Sequence, residues 1–118
     1  MSVARCSMGN IGVREASFIH KEISTMASIS YLLMNEFHAE AKTAGNNYDR
    51  KFVFDDAEGM VNNFLHGHSA VECLSLTRKV IAGWTEDETR NSIELEAIAD
   101  ALMIIDLFAE QYELTLEK

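Results

Sequence analysis

Apolar residues recur along this chain at intervals of three and four rather than two, the period of a helix with one buried side. Ile19, Ile23, Met26, Ser30, Leu33 and Phe37 follow a 4,3,4,3,4 spacing that draws one stripe along a helix over residues 15–44. Ser30 is its only polar member. Gly45-Asn46-Asn47 ends the pattern, because glycine and asparagine tolerate the left-handed conformation that closes a helix. Residues 48–54 then read as a connection, and Phe52-Val53-Phe54 is apolar enough to plug one end of the core.

Asp55 followed by Glu58 resembles a capping box and predicts the start of a second helix. Its buried stripe is Ala57, Met60, Val61, Phe64, Val71, Leu74 and Ile81. Gly67 interrupts that helix at a cost of about 1 kcal/mol relative to alanine, so a bend or split is expected at His66-Gly67-His68. Gly59, Gly67 and Ser75 recur every eight residues, which would set small side chains on one face for close packing. After a tight junction at Gly83-Trp84, Thr85-Glu86-Asp87-Glu88 has the form of another capping box. The third stripe is Ile98, Ala101, Ile105, Phe108 and Tyr112, widened by Leu95, Leu102 and Ala109, on a helix running to about Leu114.

The expected fold is therefore all-α, an up-down bundle of three long helices, or four if the second breaks near Gly67. It forms one domain over residues 1–118, with residues 1–13 a flexible N-terminal stretch. The first helix carries apolar side chains around most of its circumference, Ile29, Tyr31, Leu32, Leu33, Met34 and Phe37 among them. A second copy would cover the surplus, so a homodimer is expected with Ile29, Leu32, Leu33 and Phe37 at its interface.

Composition narrows the class. With 118 residues, 47% of them hydrophobic, and no proline, the chain can bury a core without metal or disulfide staples and is too apolar for a disordered segment. Cys6 and Cys73 form no C-x-x-C pair and are expected to be reduced thiols of a cytoplasmic protein. The N-terminus lacks the apolar stretch of a signal peptide, and the longest uninterrupted apolar run, Ala101 to Ile105, is far too short to span a bilayer.

Charge is distributed unevenly. Residues 1–85 hold nine acids and eight bases, whereas residues 86–118 hold ten acids and two bases, so nearly all of the net charge of −9 belongs to the last helix and its ends. Glu86, Asp87 and Glu88 are expected to complement that helix's N-terminus, but Glu110, Glu113 and Glu117 crowd the end where the dipole opposes them. Asp106, Glu110, Glu113 and Glu117 form a line at 4,3,4 spacing and repel one another, which folding alone does not require. Met103 and Leu107 lie beside them as apolar anchors. These six residues make the candidate site for a protein partner with a basic surface, including a nucleic-acid-binding protein whose groove an acidic stripe could block. Direct binding to nucleic acid is not expected, because Arg50-Lys51 and Arg78-Lys79 are the only paired bases.

Candidate chemistry is sparse. No histidine follows a glutamate by three, the pairing that holds metal ions in helical bundles, although His68 with Glu72 and the run Glu36-x-His38-x-Glu40 leave a site assembled across helices conceivable. Phe64-Leu65-His66-Gly67-His68-Ser69-Ala70 resembles a histidine-phosphotransfer helix without its nearby lysine. No glycine-rich phosphate loop or activated serine is present, and the apolar neighbours of Cys73 would keep its thiol protonated. Residues Leu95-Glu96-Ala97-Ile98-Ala99-Asp100-Ala101-Leu102 resemble the second metal motif of MazG-like all-α nucleotide pyrophosphohydrolases. Ala97 stands where that family has a glutamate, and Glu72 is followed by Ser75 in place of a second acid, so the resemblance implies a relative with degraded metal ligands. The sequence favours a non-enzymatic inhibitor or adaptor over that enzyme, with no metal or cofactor.

Overall fold

Four helices follow one another in the computed structural model, which describes residues 18–117, with side chains described from Ile29 onward. They are α1 (Phe18–Ala44), α2 (Tyr48–Leu65), α3 (Ala70–Gly83) and α4 (Ser92–Gln111), with a short 3-10 turn, Trp84–Glu86, between α3 and α4. The described residues contain no strand, so the all-α expectation holds in its four-helix form. The expected flexible stretch 1–13, the state of Cys6, and the stripe positions Ile19, Ile23 and Met26 lie outside the described residues or side chains.

Each turn has a local cause. Gly45 takes φ +59 at the end of α1, and the Asn47 side chain accepts the Arg50 backbone N–H at 3.3 Å, capping α2. Residues 48–54 are thus helical rather than a connection, and Asp55 pairs with Lys51 one turn away at 3.4 Å instead of capping. The expected plug is half correct: Val53 and Phe54 enter the core, while Phe52 points outward.

Gly67 divides the second predicted helix. His66 is extended and Gly67 takes φ +84, a conformation that costs a residue with a Cβ about 1–2 kcal/mol. Ser69 then caps α3 through a reciprocal pair: Glu72 N–H donates to Ser69 Oγ at 3.1 Å, and Ser69 N–H donates to Glu72 Oε1 at 3.0 Å. The eight-residue repeat makes no packing face, because Gly67 lies outside any helix, Ser75 is buried, and open space surrounds Gly59.

The start of α4 also differs from expectation. Thr85 and Glu86 belong to the 3-10 turn, and Asp87 accepts the Thr89 hydroxyl at 2.7 Å and the Thr89 backbone N–H at 3.0 Å. The working cap is Asn91, which exchanges hydrogen bonds of 2.8 and 3.0 Å with Glu94. Glu94, not Glu86 to Glu88, supplies the acid in the first turn of α4. At the other end Glu113 takes φ +57, with Glu113 N–H donating to Glu110 O at 3.2 Å and Leu114 N–H to Ala109 O at 2.7 Å, the Schellman closure. Helix α4 therefore stops at Gln111, three residues short of the expected Leu114.

One core joins all four helices. Leu33 and Phe37 of α1, Phe54 and Val61 of α2, Leu74 and Ile81 of α3, and Ile98 and Ile105 of α4 are wholly buried in it. The Phe37 and Phe54 rings meet at 5.9 Å. Ile29, Leu33 and Phe37, expected at a dimer interface, are thus occupied by the chain's own packing; of that set only Leu32 is exposed. Among the described residues no helix is long and apolar enough to cross a membrane.

Candidate functional site: the outward face of α4

The buried positions of α4 are Ala97, Ile98, Ala101, Ile105 and Ala109, which define one side of the helix. At about 100° per residue, Met103 falls opposite their centre, flanked by Ala99, Leu107, Glu96 and Glu110. Met103 and Leu107 are each 53% exposed, and Leu95 extends the apolar line toward the N-terminus at 40%. Isolated exposed hydrophobic residues are ordinary, but a line at i, i+4 spacing on the side away from the core is a patch.

The acids of α4 divide into two sets. The helix contains Glu94, Glu96, Asp100, Asp106 and Glu110 and no base. Asp106 receives Arg78 of α3 through two hydrogen bonds, Nε to Oδ1 at 2.9 Å and Nη2 to Oδ2 at 3.2 Å. Asp100 receives Arg50 Nη1 at 2.8 Å; the same guanidinium reaches Glu40 at 3.3 Å and lies 4.9 Å from the centre of the Phe54 ring. Burial works against the charge on Arg50, but its bonds and attraction to Asp100 and Glu40 prevail and raise its pKa. Glu94 lies 3.8 Å from Arg90. Glu96 and Glu110, the two on the Met103 side, form no ion pair among the described residues.

The predicted acidic line therefore breaks up. Asp106 is held internally, and Glu113 lies in the left-handed closure beyond the helix. Glu117 follows on a tail that folds back toward α3, its backbone N–H donating to Ser75 Oγ at 3.1 Å. Met103, Leu107 and Glu110 remain together. Glu96 and Ala99 join them, and rotating the sequence about its own buried stripe would have found these two, whereas Leu95, expected to widen that stripe, is exposed and joins the outward face instead.

The other candidates disperse. His66 and His68 sit in the α2–α3 connection, not on a phosphotransfer helix; His68 faces Glu72 at 3.5 Å and meets the Phe64 ring edge-on. His38 pairs with Glu58 at 3.1 Å, and Glu40 is taken by Arg50. Glu72 caps α3 and Asp100 binds Arg50, so neither acid singled out by the pyrophosphohydrolase resemblance stands in a ligand cluster. Among the described residues no three histidine, cysteine or acidic side chains are grouped to hold a metal ion. The Cys73 thiol is buried, which raises its pKa against the opposing contacts of Ser30 and Thr77. Two shallow cavities of about 210 and 330 Å³ line α3 and share Lys79 and Glu117, but their walls mix both signs of charge with no convergent set of groups. No protein-family model, curated protein or solved structure matches this chain.

Proposed function

We propose that the protein is a non-enzymatic interaction module, an inhibitor or adaptor, that binds a basic surface of a protein partner through the outward face of α4. The observation that carries this reading is the position of Met103: half-exposed, opposite the core, and bracketed along one helix by Leu107, Glu96 and Glu110. Apolar anchors ringed by charge are the usual anatomy of a docking patch, where burial supplies affinity and the acids select and steer a positive counterpart. A nucleic-acid-binding protein is one such counterpart, since its basic groove carries the lysines and arginines that Glu96 and Glu110 would meet. The buried free thiol of Cys73 suits a reducing, cytoplasmic setting.

The test is a double substitution, Met103→Glu with Leu107→Glu, compared with Asn63→Glu on the exposed side of α2. Partners retained from native-host extract are identified, and each affinity is measured with purified protein. Loss of about tenfold or more in the double variant, an unchanged Asn63→Glu control and weakening with salt are expected. Equal affinity for wild type and a double variant that retains its helical signal and melting temperature removes α4 as the docking face.

A further inference from the structure

Resting on that reading, we infer that the partner element received by α4 is itself a helix, one carrying a cation at each end of an apolar stripe. The exposed seam runs Glu96, Ala99, Met103, Leu107, Glu110, with spacings 3,4,4,3 that are symmetric about Met103. It is a seam along the helix axis with the 3 and 4 periodicity that a second helix meets when the two cross at about 20°. A strand repeats on one face every 6–7 Å or so and would lose register along it. Ala99, between Leu95 and Met103 at i, i+4 spacing, leaves a dip where one large apolar side chain can seat.

The ends specify charge. Glu96 and Glu110 stand two heptads apart, about 21 Å along the axis. A second copy of α4 laid antiparallel would fit by shape, with Met103 on Met103 and Leu107 over Ala99. It would, however, bring Glu96 against Glu110 of the other copy at both ends. A helix with lysine or arginine two heptads apart, and leucine-sized residues between them, meets the same ridge with attraction at both ends. That arrangement identifies the partner chemistry as an amphipathic, basic-ended helix rather than this chain itself.

The experiment uses the full chain and two labelled, hydrocarbon-stapled helical peptides sharing one leucine seam. One carries lysine two heptads apart at the seam's ends, and the other carries glutamate there. Binding is followed by fluorescence anisotropy at low and high salt. The lysine-ended peptide should bind about tenfold more tightly, with the preference reversed by Glu96→Lys with Glu110→Lys and abolished with all binding by Met103→Glu. Equal binding of the two peptides, or a preference that survives the charge reversal, overturns the inference. It is likewise overturned if neither peptide binds, whether the chain sediments as a monomer or as a dimer that Met103→Glu dissolves. The docking reading is judged separately, by the affinity of the native partner for the Met103→Glu and Leu107→Glu variant, so the two can fail independently.

Discussion

Arg78 on α3 grips Asp106 on α4 with both arms of its guanidinium, at 2.9 and 3.2 Å, and so withdraws from the acidic helix one of the carboxylates that its sequence offers to a partner. The fork also raises the pKa of Arg78, chiefly through the hydrogen bond to Asp106. Because the Asp106 side chain is 43% exposed, solvent screening keeps the pair modest. Asp106→Asn should cost about 0.5–1 kcal/mol in urea unfolding, and Arg78→Lys, which loses the fork, a similar amount. Glu110→Gln should not lower stability and should raise it by about 0.5 kcal/mol, since Glu110 has no ion pair to lose among the described residues and its charge opposes the dipole at the end of α4. A destabilised Glu110→Gln variant would mean that the exposed acid serves the fold.

Three positions separate backbone strain from packing. Gly59 lies inside α2 with open space where a Cβ would stand, so Gly59→Ala should stabilise the protein by about 1 kcal/mol. Gly67 has equal space but φ +84, and Gly67→Ala should destabilise it by about 1–2 kcal/mol. Glu113 is the converse, a side-chain-bearing residue at φ +57, and Glu113→Gly should gain about 1 kcal/mol. Thermal melts of the three variants give the signs. Gly67→Ala matching the wild type would show that the α2–α3 connection does not require the left-handed turn.

Helix content and most core positions were legible because 3,4 spacing reports burial directly, as at Leu33, Phe37, Ile98 and Ile105. Helix boundaries were less so. Asp55-x-x-Glu58, Ser69-x-x-Glu72, Thr85-x-x-Glu88 and Asn91-x-x-Glu94 all satisfy or approach the same capping pattern, yet only Ser69 and Asn91 cap. Burying Val53 and Phe54 goes with an α2 that begins at Tyr48, and its local signal, the Asn47 cap, reads equally well in sequence as part of the stop that ends α1. The patch was half legible. Met103 and Leu107 were evident as apolar residues among acids, but the removal of Asp106 by Arg78 spans 28 residues of sequence and the break at Glu113 is a matter of backbone closure.

Among the described residues the core contains one under-satisfied hydroxyl. Thr77 is fully buried, and its Oγ1 meets the weakly polar Cys73 thiol without completing a hydrogen bond of ordinary geometry. A hydroxyl deprived of water without compensation costs about 1–3 kcal/mol, while valine has nearly the same shape and nothing to satisfy. Thr77→Val should raise the urea midpoint, by about 1 kcal/mol or more in stability. A lower midpoint would mean that the hydroxyl forms a bond in solution, with the Cys73 thiol beside it.

Two carboxylates at helix ends contribute to the acid response of the fold. The Ser69 backbone N–H, with His68 assisting, holds Glu72 below its ordinary pKa; the Thr89 hydroxyl and backbone N–H, with Arg90 nearby, do the same for Asp87. A carboxylate whose folded pKa is depressed stabilises the folded state fully above its unfolded value, and that contribution disappears as pH falls through the folded one. Stability should therefore decline from just above the ordinary carboxylate range downward. Glu72→Gln retains an amide oxygen for the Ser69 N–H but removes the titration, so its stability should follow pH less steeply than wild type through that window. Glu72→Ala loses both and should be weaker at neutral pH as well. If Glu72→Gln follows the wild-type profile throughout, the α3 cap contributes nothing to acid sensitivity and the response comes from the remaining carboxylates.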